Sequence, residues 1–339
     1  MTAIALRGFS LRVRRRSAAV CAALVVATFA ASVLSVGTGD FPLSVGEVLA
    51  VLAGQGDPAA TFIVETLRLP RVLTALLVGG AFGIAGAIFQ SVSRNPLGSP
   101  DIIGFTMGSV TGAFVVILWL DGTTFQIALG AVCGGMVTAI AVYLLALQGG
   151  GLQDYRLVLV GIGASAMLLA VNDYLITRAT RDDAFQAAHW MIGSVNGRGW
   201  EHVWPVAAAL AVLVPAALML ARPLAMLELG DDAARALGVP AERSRLALVF
   251  VAVGLTAVAT ASTGPIAFVA LAAPQIARRL TRAAAPGLVS AGLMGALLLV
   301  ASDLIAQRLL SVDLPVGIMT GALGGIYLGW LLFSGWGRT

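Results

Sequence analysis

The sequence contains no lysine: all 21 basic residues among its 339 are arginine. That excludes a lysine-bearing phosphate loop, G-x-x-x-x-G-K-[ST], anywhere in the chain, and a Schiff-base lysine with it. Charge of either sign is scarce. Charged residues make up 11% and apolar residues 59%, where a soluble domain carries about 25% and about 45–50%. So few charges could not keep a globule of this size in water, which argues against a soluble enzyme, a nucleic-acid binder and a disordered chain. Cysteine is nearly absent. Cys21 and Cys133 both lie in apolar stretches and read as packing residues, not as a disulfide or metal ligands. Histidine is limited to His189 and His202, in one polar stretch, and no H-E-x-x-H occurs. An intramembrane zinc protease would lack its ligands, so no metal site is expected. No nucleophile–base–orienter set stands out either, and no catalytic residue is assigned.

Long apolar runs are abundant. A hydrocarbon core about 30 Å thick needs about 20 apolar residues per helix. The chain divides into ten such segments, at 18–36, 70–92, 102–120, 125–147, 156–177, 203–221, 246–262, 264–281, 287–308 and 315–334. The segment at 264–281 is the weakest, because Arg278 and Arg279 limit its end. The fold class read from this pattern is an all-α polytopic membrane protein. A basic N-terminus, 1–17, precedes one transmembrane domain, 18–336. The first apolar run is long for a signal peptide and lacks a clear A-x-A site, so it reads as a retained helix. With the N-terminus in the cytoplasm, 15 arginines fall on the inner side and 6 on the outer. The positive-inside rule then favours ten helices with both termini cytoplasmic. The net charge of +4 therefore speaks of orientation, not of nucleic acid. Residues 43–49 read as a short interfacial helix, and 178–202 as a structured outer stretch carrying Trp190 and Trp200.

Four constellations invite function. Arg68-Leu69-Pro70-Arg71 opens the second segment at the outer face, and Arg308 closes the ninth. Arginines on that side run against the orientation bias. They either snorkel to lipid phosphates or receive carboxylates of a soluble partner. The inner loop 222–245 is the most charged stretch. Its Asp231 and Asp232 suit a helix start after Gly230, and Leu229, Ala233, Ala236 and Leu237 share a face, which suits either a plain surface loop or a short helix seeking a partner's groove. Gln90, Asn172, Asp173, Gln275 and Asp303 are polar residues inside apolar segments. They either pair structurally or line a pathway. Glycine is plentiful, at 40 residues, and recurs every fourth position at Gly79/Gly83, Gly130/Gly134 and Gly317/Gly321/Gly325/Gly329. Such ladders let helices pack closely, within the subunit or along a subunit seam.

Taken together, these residues resemble the FecCD-type permeases of ABC importers for iron–siderophore complexes and cobalamin. The resemblance rests on Arg68–Arg71, Gly86–Ser91, Arg94-Asn95-Pro96-Leu97-Gly98-Ser99-Pro100-Asp101, Trp190–Ser194, the 226–239 loop, Gly264–Leu271, Pro274–Arg279 and Leu314–Gly317. These run in family order from about residue 60 to the end. Within the family the likeness is greatest to permeases of ferric enterobactin importers, through Arg94–Asp101, Leu229–Asp232, Glu242–Arg245 and Gly324–Tyr327. The resemblance implies ten helices per subunit and a second permease subunit, here a paralogue. It implies two cytoplasmic ATPase subunits and an extracytoplasmic siderophore-binding protein. ATP and magnesium would reside on the ATPase, with no cofactor in this chain. The loop residues Gly230, Ala234, Leu237 and Gly238 map onto the helices that dock in the ATPase. Arg68 and Arg71 map onto arginines that meet the binding protein, with Arg308 a looser match. Gln275 departs from the family, where many members carry histidine.

Two other readings differ in what they predict. A cobalamin or haem importer would differ only in cargo. A secondary transporter driven by an ion gradient would work without any ATPase and would titrate a buried carboxylate, with Asp173 the candidate.

Overall fold

In a computed structural model, the described residues are 2–6, 9–39, 41–101, 104–148, 151–152, 154–285, 287–309 and 314–335. Arg7, Arg338 and the first two residues of the 102–120 segment lie outside them. Fourteen helices follow in order. They are α1 (Arg15–Gly37), α2 (Val45–Leu52), α3 (Pro58–Val92), α4 (Phe105–Trp119), α5 (Thr124–Ala146), α6 (Asp154–Arg178) and α7 (Arg181–Ile192). Then come α8 (Trp200–Met219), α9 (Ala221–Leu227), α10 (Asp231–Ala236), α11 (Ala241–Thr263), α12 (Val269–Thr281), α13 (Leu288–Leu309) and α14 (Val316–Gly335). Two short antiparallel pairings, 2–6 with 9–13 and 147–148 with 151–152, are the only extended ones among the described residues. Seven helices there are long and apolar enough to cross a membrane: α1, α3, α5, α6, α8, α11 and α13.

The core forms where small residues let helices close up. α3 lies against α13 because Gly79 and Gly83 meet the backbone of Gly295 and Ala291, where any Cβ would collide. α4 meets α5 in the same way, Gly112 against Gly130 and Gly134. These two ladders therefore pack inside the chain. The last ladder divides. Gly317 abuts the carbonyl of Ile192, while Gly321, Gly325 and Gly329 have nothing within 4 Å among the described residues. Most of that stripe on α14 is left open.

α3 is long enough, at about 1.5 Å per residue, to put Arg71 and Arg94 at opposite ends of the bundle. α1 begins at the Arg94 end, where Arg16 Nε donates to Leu280 O at 2.8 Å. α14 finishes there too, with Tyr327 Oη 3.4 Å from Gln275 Oε1 and Arg279 stacked over Trp330.

Two segments depart from the sequence parse. The 264–281 run becomes helical only at Val269, leaving a 13-residue α12 that is too short for a full crossing. Gly264 at φ +75°, followed by Pro265, breaks the ladder, and Phe268 enters the next helix in the left-handed region at φ +68°. The stretch before α4 is likewise irregular. Backbone of this kind is tolerated only where protein covers it. Here Ser194 N–H donates to Thr263 O at 2.7 Å, and Gly317 N–H donates to Gly193 O at 3.0 Å. A helix does form where one is expected at 43–49, as α2, started by a reciprocal Ser44–Glu47 capping box.

Candidate functional site

At the Arg71 end, three arginines close one rim. Arg68 Nη1 donates to Val36 O at 2.8 Å and Nη2 to Phe41 O at 2.6 Å, which fixes the link between α1 and α2. Arg308 Nη2 donates to Thr38 Oγ1 at 2.9 Å on the same link. Arg71 makes a two-pronged pair with Asp303, Nε to Oδ2 at 3.0 Å and Nη2 to Oδ1 at 2.9 Å. Gln307 donates to the same carboxylate at 2.8 Å, and Asn196 Oδ1 accepts from Arg71 Nη1 at 3.1 Å. The Arg71 and Asp303 side chains are 14% and 2% exposed. Arg71 is thus held in the bundle by a carboxylate of its own chain. Asp303 takes the structural alternative of the two foreseen for it. Beside this pair opens a cup of about 760 Å³ lined by Arg68, Arg71, Arg198, Trp200, Glu201 and Gln307. Its wall includes a π-helical turn, Phe62–Arg68, whose Glu65 carbonyl accepts from the Trp200 indole at 2.9 Å.

Three of the four candidate pathway residues turn into the packed interior instead of onto an open face. Gln90 is buried and donates to Leu271 O at 3.0 Å. Gln275 is buried and donates to Pro96 O at 2.8 Å. Asn172 is fully buried, with Oδ1 2.8 Å from Thr111 Oγ1. Gln90 and Gln275 each satisfy a backbone carbonyl that would otherwise be costly to bury and so brace their helices, whereas the buried Nδ2 of Asn172 finds no partner among the described residues. Asp173 alone sits on an exposed face, on α6.

At the Arg94 end, the 222–245 segment folds into α9 and α10 with a turn between them. Gly230 holds φ +107° and Gly238 φ +79°, with open space around both. Leu224, Leu227 and Ala234 are buried, anchoring the pair of short helices to the bundle. Leu229 and Leu237 point away, 64% and 60% exposed. The predicted helix start is present, but the sequence reading did not foresee what holds it. Asp231 Oδ1 accepts from Arg245 Nη2 at 2.7 Å and from Arg94. Arg245, at the foot of α11, also reaches Glu242 at 3.1 Å and is 1% exposed. Arg94 Nε donates to Leu227 O at 3.2 Å. Burial works against the Asp231 carboxylate, but the two guanidiniums outweigh it and hold its pKa below the ordinary value. The signal for Arg245 was present in the sequence as Glu242, three residues before it on the same helix face.

Asp101 forms a second link at this end. Its Oδ1 accepts from Thr106 Oγ1 at 2.9 Å, and the carboxylate also takes the Phe268 backbone N–H. Burial nevertheless pushes the carboxyl up from 3.8 to about 6. An acid whose folded pKa lies above its unfolded one holds its proton more tightly in the fold. Its stabilising contribution is then full below the unfolded value and fades as pH rises through the folded one. The stability of the wild-type protein in detergent is expected to fall by up to ~3 kcal/mol between about pH 4 and about pH 7, read as a lower thermal midpoint. Asp101→Asn is expected to remove that slope and to be the more stable protein at the high end. A parallel pH profile for the two proteins would count against this assignment.

The FecCD transport family matches residues 24–334. The ferric enterobactin transport system permease protein FepG of Escherichia coli is 47% identical over 93% of this chain and 96% of its own length. The achromobactin transport system permease protein CbrC of Dickeya dadantii is 39% identical over 90% and 88%. A solved inward-facing conformation of a metal-chelate-type ABC transporter superposes with a TM-score of 0.84, 27% identity, and coverage of 94% of this chain and 99% of that one. With its array of apolar spans, the chain is a multi-pass transport permease of the bacterial inner membrane, and it belongs to the FecCD transport family.

Proposed function

We propose that this chain is the membrane-spanning permease subunit of an ABC importer that carries an iron(III)–siderophore complex inward, driven by ATP hydrolysed on separate subunits. The observation that carries the reading is the α9–α10 element. It is anchored by buried Leu224, Leu227 and Ala234 while presenting Leu229 and Leu237 outward. An anchored element with an apolar outward face suits the groove of a soluble partner. The lysine-free sequence requires that partner to supply the phosphate loop. ATP and magnesium belong to the ATPase pair; this chain holds no cofactor and performs no chemistry. The Arg94 end is then cytoplasmic, as are both termini, with ten crossings, one of them made by the irregular 264–268 stretch together with α12. The Arg71 end receives a binding protein, for which Arg68 and Arg308 on the rim are better placed than Arg71. The open glycine face of α14 meets a second permease, a paralogue in our reading. Lipid covers the remaining apolar faces. Closure of the ATPase dimer pulls on α9–α10, and the bundle rocks between outward- and inward-open states. The similarity to permeases of ferric enterobactin and achromobactin systems supports a siderophore cargo.

The test is uptake of radiolabelled iron in a deletion strain complemented with this chain, scanned over catecholate and hydroxamate siderophores. Uptake of a ferric catecholate that disappears when the neighbouring ATPase is deleted is the expected result. Uptake that survives ATPase loss would replace this reading with a gradient-driven carrier.

A further inference from the structure

We propose that Asp231 is the mechanical joint through which α9–α10 moves the rest of the bundle, with Arg94 and Arg245 as the positioning residues that grip it. The proposal rests on the importer reading above and concerns how force passes inside this chain. Asp231 is the first residue of α10, yet its carboxylate is bonded to two other parts of the molecule. One is Arg245 on α11, enclosed at 1% exposure and also tied to Glu242. The other is Arg94, at the start of the irregular stretch between α3 and α4, which also binds the carbonyl at the end of α9.

From Arg94 the contacts continue in one direction. The stretch it begins is fastened to α12 twice, by Gln275 on Pro96 O and by Asp101 on the Phe268 N–H. Phe268 is the left-handed residue that opens α12, and its ring fills the notch over Gly324 on α14, where a Cβ would collide with it. A displacement of α10 is therefore delivered to α11 through Arg245. Through Arg94 it reaches the start of α12 and the helix beyond. The bonds on Asp231 are charge-assisted single contacts to one carboxylate oxygen, and each guanidinium is also held by a second acceptor, Arg94 by Leu227 O and Arg245 by Glu242, which resists being pulled apart more than apolar packing that can slide. Irregular backbone at the receiving end can absorb rotation where a continuous helix would not.

The experiment uses the whole importer in proteoliposomes, with ATPase, second permease and binding protein, and radiolabelled ferric enterobactin as the probe. Asp231→Asn and Arg94→Gln are each expected to retain the ATPase in a pull-down and to hydrolyse ATP. Each is expected to move about tenfold less iron per ATP consumed. The double variant is expected to be no worse than the poorer single one, because both break the same Arg94–Asp231 bond. Arg94→Lys, which keeps the charge, is expected to recover part of the loss. Full iron transport per ATP in Arg94→Gln overturns the proposal, as do losses that multiply in the double variant. Should Asp231→Asn fail to assemble, an uncoupled but assembled Arg94→Gln still supports the joint. A wild-type chain that neither binds an ATPase nor couples uptake to ATP overturns the importer reading itself, and this proposal with it.

Discussion

Asp303→Ala is expected to destabilise the protein by about 3–5 kcal/mol, measured as thermal or denaturant unfolding in detergent. The carboxylate is 2% exposed and neutralises Arg71 through two bonds of 2.9 and 3.0 Å. Truncation leaves a guanidinium with only Asn196 opposite it, and leaves Gln307 without the partner it now holds at 2.8 Å. The penalty comes chiefly from that stranded charge, not from the loss of a favourable pair. Removing both charges together should therefore cost far less than removing either, and Arg71→Met with Asp303→Leu is expected to recover most of the stability. The same variants separate two roles for Arg71. If Arg71 serves mainly to meet a binding protein, Arg71→Met should leave unfolding unchanged and weaken only that contact. If it serves Asp303, unfolding shifts while the outer rim still offers Arg68 and Arg308. An Asp303→Ala protein as stable as wild type would show that water reaches Arg71 and relieves it.

The crossing helices were legible because hydropathy over about 20 residues reports a property of the bilayer, which every span must meet. The places where the reading slipped share a cause. Gly264-Pro265 interrupts an apolar run without making it less apolar, so 264–281 reads as one helix while the structure builds only α12 from Val269. Helix breakage inside protein is a matter of backbone hydrogen bonds, and hydropathy does not register them. The glycine ladders show a similar limit. Their spacing announces close approach, but the partner is a tertiary fact: Gly79 and Gly83 face α13, whereas Gly321, Gly325 and Gly329 face none of the described residues.

Polar residues were found more easily than their roles. Gln90, Gln275 and Asn172 stood out as expensive in an apolar segment, which holds equally for a brace and for a pathway. Leu271 O and Pro96 O hold the two glutamines as braces, while Thr111 engages only the Oδ1 of Asn172. Asp231 was found for its helix-start position, a local signal, while Arg94 lies 137 residues away in sequence. Pairings of that length cannot be read from one chain without an alignment, whereas Glu242–Arg245, three residues apart, could have been.

The largest effect on assembly is expected at Leu229 and Leu237. Both are large apolar side chains held in water by this chain alone, on an element whose buried side already has its own partners. Burying one leucine against a partner contributes about 1.5–3 kcal/mol. Losing two should then weaken ATPase association by roughly 10²- to 10⁴-fold in Kd. Leu229→Ser with Leu237→Ser is accordingly expected to strip the ATPase from the permease in a pull-down and to abolish ATP-driven uptake. The isolated permease should unfold within about 0.5 kcal/mol of wild type, since neither side chain packs into the core. That combination separates a docking surface from a structural one. Leu224→Ala on the neighbouring short helix provides the contrast. It is 4% exposed and faces inward, so it should cost about 2–5 kcal/mol of stability by leaving a cavity. Retention of the ATPase by the double serine variant would mean that the partner grips some other surface at the Arg94 end. A drop in its stability to match Leu224→Ala would mean that the two leucines belong to the fold.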